Sequence, residues 1–279
     1  MIIDAHQHFW KINRGDYGWL TSDLEVLYRD YLPADLELEL SACGIEGTVL
    51  VQAAPTDAET EFLLDLAENS RVIQGVVGWA ALDGDRPEPR IEALAEYTKL
   101  KGLRPMIQDM ADLEWMLSAR ASCGFVAMVN NDLRLDGLVR ANQITQLARL
   151  ADQYPNLPIV LDHAGKPDIA GSQFQAWAAD IQNLARRPNV VCKLSGLLTE
   201  AGVRTGDHNL APYVDQLLDS FGPSRLMWGS DWPVLRLAGT YQSWHAQAQR
   251  LLTALSPDEQ ALIFGGVATA FYGLETTRS

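Results

Sequence analysis

The chain is expected to fold as a (β/α)8 (TIM) barrel, an α/β architecture, and three observations lead there. Eight short runs rich in β-branched residues recur along it, and amphipathic stretches separate them. No Pro/Gly/Ser-rich linker, charge block or low-complexity tract divides the 279 residues, so one barrel domain over 1–279 is expected. An open doubly wound sheet usually has fewer strands and a Gly-rich first turn.

The first run, Ile2 to Phe9, starts apolar and passes into Asp4-Ala5-His6-Gln7-His8. Gly47 to Ala53 holds Thr48-Val49-Leu50-Val51, and Ile73 to Trp79 holds a Val pair. Gly102 to Ile107 and Phe125 to Asn130 are assigned as the fourth and fifth strands. Pro158 to His163, Val190 to Ser195 and Leu226 to Asp231 complete the set. Helical periodicity marks Glu59 to Asn69, Arg90 to Tyr97, Leu138 to Tyr154, Phe174 to Arg186, Ala211 to Phe221 and Tyr241 to Ala254. Barrel strands carry functional groups at their C-terminal ends. Here those ends hold His6 and His8, Gln52, Trp79, Arg104, Asn130, His163, Lys193 with Ser195, and Asp231.

Bulk properties exclude several functions. The formal charge of −14 opposes binding to nucleic acid or to an anionic membrane. Cys43, Cys123 and Cys192 are scattered and odd in number, which argues against a disulfide framework or a Cys-rich zinc site. No signal-peptide pattern and no apolar stretch of roughly 18–20 residues is present, so the cytoplasm is the expected compartment. The expected partner is a small molecule, and a homo-oligomer is left open. A Gly-X-Ser-X-Gly elbow, a dinucleotide-type turn and a His-Glu-X-X-His helix are all missing, and Ser195 is a poor candidate nucleophile.

The chemistry is expected at the two ends of the chain. Alternation along a strand turns His6 and His8 to the same side. In the sixth run Ile159, Leu161 and His163 share a face, which is assigned to the barrel interior with Asp162 toward the helices. Met227, Gly229 and Asp231 do the same in the eighth. Three imidazoles and a carboxylate suit zinc or a similar divalent ion, with Asp231 positioned to take a proton from water. The same set can also work without metal, Asp231 acting as general base. Arg104 can grip a carbonyl, hydroxyl or carboxylate, and Lys166 can reach the mouth. Lys193, inside an apolar strand, contacts substrate or pairs with an acid, because an unpaired buried ammonium is costly. Trp10, Trp79 and Trp232 either line a sugar-sized pocket or pack the rim, and Asn130 is a further candidate contact. His208 is assigned to a loop after the seventh strand, and His245 to the outer surface of a helix.

In order, the His6-Gln7-His8 pair, His163-Ala164-Gly165-Lys166-Pro167, Cys192-Lys193-Leu194-Ser195-Gly196 and Trp228-Gly229-Ser230-Asp231-Trp232-Pro233 resemble the amidohydrolase superfamily, amidohydrolase 2 group, over nearly the whole chain. Asp4 to Trp10 and Tyr31-Leu32-Pro33 further resemble its sugar-lactone lactonases of the L-fuconolactonase and L-rhamnonolactonase type. The resemblance implies opening of a lactone to a hydroxy acid in carbohydrate catabolism. Asp231 would be the base, His6, His8 and His163 ligands or carbonyl-orienting groups, and Arg104 a substrate contact. Metal-rich relatives place a His at the end of strand five and often a bridging Lys or Glu at strand four. Asn130 and Arg104 in those places argue against a binuclear centre and leave one divalent ion, zinc first, or none. Pro105 follows Arg104 where many fuconolactonase-like chains place a His, which puts the substrate in question. The competing readings are a 2-pyrone-4,6-dicarboxylate-type lactonase, a nonoxidative decarboxylase and, in another class, a noncatalytic sugar-acid binding protein.

Overall fold

In the computed structural model the described residues are 1–275. Eight parallel strands pair in chain order: β1 (Ile3–Gln7), β2 (Gly47–Val51), β3 (Ile73–Gly78), β4 (Leu100–Leu103), β5 (Arg134–Gly137), β6 (Ile159–Leu161), β7 (Val190–Leu194) and β8 (Leu226–Trp228). The loop after β8 closes the ring onto β1, Asp231 N donating to His6 O (2.8 Å) and His8 N to Trp232 O (2.7 Å). Around the barrel lie α1 (Pro33–Cys43), α2 (Asp57–Glu68), α3 (Glu88–Ala95), α4 (Ala119–Asn130), α5 (Ile144–Gln153), α6 (Phe174–Leu184), α7 (Leu197–Ala201), α8 (Asp207–Phe221), α9 (Tyr241–Leu251), α10 (Pro257–Ala261) and α11 (Val267–Tyr272). The (β/α)8 class expected from the sequence is the observed one.

One assignment fails. Phe125 to Asn130 is the last half of α4, not a strand, and β5 follows it. The apolar run misled because it is helical: Ala121, Gly124, Phe125 and Met128 recur on one buried face, and Ser118 caps the start by accepting from Ala121 N. The true strand, Arg-Leu-Asp-Gly, is short and carries two charges. Asn130 therefore ends a helix that returns antiparallel to the strands, at the foot of the barrel and away from its mouth. The stretch from Leu138 begins as loop and one 3-10 turn before α5, β4 starts at Leu100, and α8 already starts at Asp207.

Two apolar clusters separate inside from outside. Val49, Val51, Val77, Val160 and Met227 pack with Ile3 and Ala5 and with Val267, Ala268 and Tyr272 of α11, which closes the foot of the barrel. Leu50, Leu103, Leu135, Ile159, Leu161 and Trp228 pack outward with the helices. The inward face of β6 is therefore that of Val160 and Asp162, the reverse of the face expected. Small branched residues fill the inner layer and larger ones the wider helix–sheet gap.

Residues 11–31, between β1 and α1, fold over the mouth. Trp10 and Tyr31 pin the two ends by exchanging backbone hydrogen bonds of 2.9 and 3.0 Å. Glu59, in the first turn of α2, ties this excursion to β2. It accepts from Tyr17 Oη at 2.6 Å and from Ala53 N at 3.0 Å, with Arg14 Nε 4.0 Å away. Burial pushes the Glu59 carboxyl up to about 7 against the pull of those hydrogen bonds. The unfolded chain releases this proton near the ordinary 4.5 and the folded chain near 7, so the group costs stability as pH rises through that window. Relative to Glu59→Gln, the wild type is expected to lose about 3 kcal/mol between about pH 4 and pH 8. Urea unfolding at a series of pH values reads this difference, and a gap that does not move with pH refutes it.

Candidate active site

Above the inner apolar layer sits a ring of buried charges. Lys193, inward on β7, has its Nζ 2.5 Å from Asp136 Oδ2, 3.0 Å from Asp162 Oδ1 and 3.1 Å from His6 Nδ1. Tyr272 Oη donates to both Asp136 oxygens (2.9 and 3.0 Å), joining the foot of the barrel to this layer. Arg104, just past β4, places Nη1 3.3 Å from Asp162 Oδ2 and 3.3 Å from His6 Nε2, and Nη2 on the Gln52 carbonyl. Two cations thus balance two carboxylates, the condition under which charge survives burial. Burial works upward on Asp162, but Lys193, His6 and Arg104 outweigh it and hold the carboxyl well below its usual range. Asp136 goes the other way, raised by burial to about 6 against the pull of Lys193.

The rim lies on this layer. His8 donates Nδ1–H to Val51 O (2.7 Å), so its Nε2 points into the site. His6 Nδ1 has Asp162 Oδ1 at 3.5 Å. Lys193 Nζ, at 3.1 Å, is nearer still to Nδ1, and ligation of a cation through Nε2 would put the ring hydrogen on Nδ1, toward Asp162. His163 fixes its ring through Nδ1 and Ser195 Oγ (2.9 Å). The three Nε2 atoms converge on Asp231 Oδ1, at 3.2 Å from His8, 3.7 Å from His6 and 3.9 Å from His163.

The local backbone is bent to make this convergence. A register shift in β1 between Asp4 and Gln7 turns His6 and His8 inward together. After Leu161 the chain leaves the strand, and His163 (φ 52°), Ala164 (φ 53°) and Lys166 (φ 52°) lie in the left-handed region, as does Asp231 (φ 58°). Such conformations in residues other than glycine cost of order 1–3 kcal/mol each and persist where surrounding contacts impose them. Gly229 and Gly196 give the clearance, since a Cβ on either would come within 2.7 Å of His6 or of His163.

These donors fit one divalent ion. Zinc at about 2.0–2.1 Å from tetrahedral ligands sets those ligands about 3.3 Å apart. The His6–His8 Nε2 separation is 3.2 Å, and His6, His163 and Asp231 offer atoms all within 4.8 Å of one another. Burial lowers His163 to about 4 and, with Lys193, takes His6 well below the usual imidazole range, keeping both neutral and able to ligate. Burial alone would raise Asp231, but His163, His8 and His6 outweigh it and keep the carboxylate ionised. A second group, His6, Asp136 and Asp162, has comparable spacing, yet the Lys193 ammonium already stands among it. Leu138 and Val139, not Asn130, follow the true fifth strand, so no His is supplied there either.

A cavity of about 260 Å³ opens above, lined by His8, Arg104, His163, Lys166 and Asp231 with Trp19, Ala53, Met106, Gln108, Asp109, Leu138 and Val234. Arg104 Nε is buried without a partner. Lys166 reaches the wall with Glu200 3.7 Å from its Nζ. Other candidates stand elsewhere. Lys193 is wholly buried beneath His6 and has no face toward a substrate. Trp10 is enclosed by Tyr17, Trp19 and Tyr31, and Trp232 packs on Phe9 and Tyr31. Trp79 is half-buried outside the cavity wall, its backbone N and O both bonded to Thr60 Oγ1. His208 lies exposed in the first turn of α8, whereas His245 is buried against Trp228 and Phe264 instead of facing solvent. Asp136, Asp162, Glu59 and Trp19 are further residues of the site and its support that strand-end positions do not single out. An acid was needed at the height of Lys193, and Asp162 stands two residues after inward Val160, which was the available signal.

A family model described as amidohydrolase matches residues 3–274. The chain belongs to the amidohydrolase family. This amidohydrolase is 43% identical over 277 residues to an L-fucono-1,5-lactonase of Burkholderia ambifaria, covering 98% of this chain and 96% of the relative. It is 39% identical over 286 residues to an L-fucono-1,5-lactonase of Burkholderia multivorans, with the same shares covered. A crystal structure of an amidohydrolase from Burkholderia multivorans with bound zinc aligns at TM-score 0.92 and 38% identity, over 99% of this chain and 100% of that one. Among the described residues, no helix of this amidohydrolase is long and apolar enough to cross a membrane.

The placement of the two lysines has opposite consequences. Lys193→Met leaves Asp136 without a cation and Asp162 with Arg104 alone, and is expected to lower the unfolding free energy by about 3–5 kcal/mol. Lys166→Met at the cavity wall is expected to stay within about 0.5 kcal/mol of wild type. Equal denaturation midpoints for Lys193→Met and wild type would contradict the buried ion cluster.

Proposed function

We propose that this amidohydrolase opens sugar lactones to their hydroxy acids, with Asp231 as the base. The observation that carries the reading is the convergence of three imidazole Nε2 atoms on one oxygen of an ionised aspartate at the floor of a small-molecule cavity. The lactonase names of two relatives matched over nearly the whole chain supply the substrate class. Drug-sized ligands need about 300–1,000 Å³, so a cavity of about 260 Å³ suits one sugar-sized ring better than an oligosaccharide.

His6, His8, His163 and Asp231 would hold the ion, zinc being the first choice, and when bound it would polarise the lactone carbonyl and acidify water. Asp231 accepts a proton from the attacking water, and the water oxygen bonds to the carbonyl carbon. The carbonyl electron pair moves onto its oxygen, where the guanidinium of Arg104 in the wall is a cationic donor. Collapse of the tetrahedral centre breaks the bond to the ring oxygen, and Asp231 returns the proton to that leaving oxygen. His8 and His163 keep their Nε2 atoms on the reacting side because Val51 O and Ser195 Oγ hold their Nδ1 atoms. Lys166 and Gln108 are placed for substrate hydroxyls, and Asp109 beside them disfavours a dicarboxylate in the same space.

The test is a pH-indicator assay on L-fucono-1,5-lactone beside other aldonolactones and pyrone dicarboxylate lactone, using wild type and Asp231→Asn. Wild type is expected to turn over an aldonolactone, and the near-isosteric variant to lose on the order of 10³-fold in kcat. Failure of wild type across the aldonolactones overturns the substrate class. Near wild-type turnover by Asp231→Asn overturns its role.

A further inference from the structure

Of the aromatic residues near the mouth, Trp19 is the one in the cavity wall, and it comes from neither a strand end nor a helix. It is 38% exposed, although the excursion carrying it is otherwise pinned. Its Nε1 already donates to Ala53 O (2.8 Å), so the indole offers a ligand only carbon surface. Trp10 supports it edge-on, with ring centroids 5.4 Å apart and planes at 89°. The same Ala53 has its N–H held by Glu59, and the other oxygen of Glu59 takes the hydroxyl of Tyr17, two residues before Trp19. One buried carboxylate thus fixes the wall residue Ala53 and the segment that presents Trp19.

We infer that Trp19 is a substrate-contacting residue of this site, its indole taking the carbon face of the sugar ring, and that the Tyr17–Glu59 hydrogen bond positions it. The inference rests on the lactonase reading above and adds a specificity wall to it. The cavity wall is mixed in character: Trp19, Ala53, Met106, Leu138 and Val234 supply apolar surface, while Gln108, Asp109 and Lys166 supply hydrogen-bonding groups. A lactone ring has the matching character, hydroxyls along one edge and C–H bonds on a face, and indole is suited to the latter. Because Trp19 touches substrate away from the carbonyl, its contribution is made in the ground state and the transition state alike.

The experiment compares steady-state kinetics of wild type, Trp19→Phe, Trp19→Ala, Tyr17→Phe and the Tyr17→Phe/Trp19→Ala double variant on the best aldonolactone. Trp19→Ala is expected to raise KM about 10-fold with kcat within about 3-fold, and Trp19→Phe to recover most of the loss. Tyr17→Phe keeps the ring against Trp10 and is expected to raise KM about 3-fold alone but to add nothing in the Trp19→Ala background. If wild type opens no aldonolactone, the functional reading fails and this inference falls with it. If wild type is active and Trp19→Ala keeps its KM, or loses kcat with KM unchanged, the inference alone fails. Additive effects of the two substitutions overturn the positioning role of Tyr17.

Discussion

The site depends on the ammonium of Lys193, buried between Asp136 and Asp162 beneath His6. Its charge allows two carboxylates to stand inside the barrel, and one of those, Asp162, orients His6 and holds Arg104. The cluster also links layers. Tyr272 at the foot reaches Asp136, Lys193 joins Asp136 to Asp162, and Asp162 reaches His6 and Arg104. Through these contacts the C-terminal helix, which plugs the barrel, supports the geometry at the opposite end.

The same arrangement explains why the site is suited to one metal ion. Three donors in the lower layer, His6, Asp136 and Asp162, have the spacing of a cation site, and the protein fills it with its own cation. The upper donors are left for a single ion. Because the lower charges balance internally, the rim can be tuned separately: burial keeps His6 and His163 neutral, and the carboxyl of Asp231 is held below its usual range, His163 foremost against the upward push of burial.

Much of this was legible in the sequence, for physical reasons that differ by residue. His6 and His8 show their convergence through the period of a strand, and His163 and Asp231 follow apolar runs that only a barrel places beside them. The family likeness rests on the same residues. What the sequence concealed was local geometry. Alternation along the sixth run suggested that His163 faces inward with Ile159 and Leu161, whereas it reaches the site through left-handed backbone after the strand has ended. The inward face is therefore the opposite of the one alternation predicts, and Asp162, the partner of Lys193, points into the barrel. Phe125 to Asn130 shows the other limit: a continuous apolar run does not distinguish strand from buried helix, and Asn130 was carried to the wrong end of the barrel. Trp19 and Glu59 lie far from each other in sequence, and only the folded excursion brings them to a shared residue, Ala53.

The division between a filled lower cation site and an open upper one is most directly tested by anomalous diffraction at the zinc edge from zinc-soaked crystals of the wild-type protein. One peak bounded by His6, His8, His163 and Asp231, with none beside Asp136, is the expected result. A second peak among His6, Asp136 and Asp162, or a single peak there, would contradict the account.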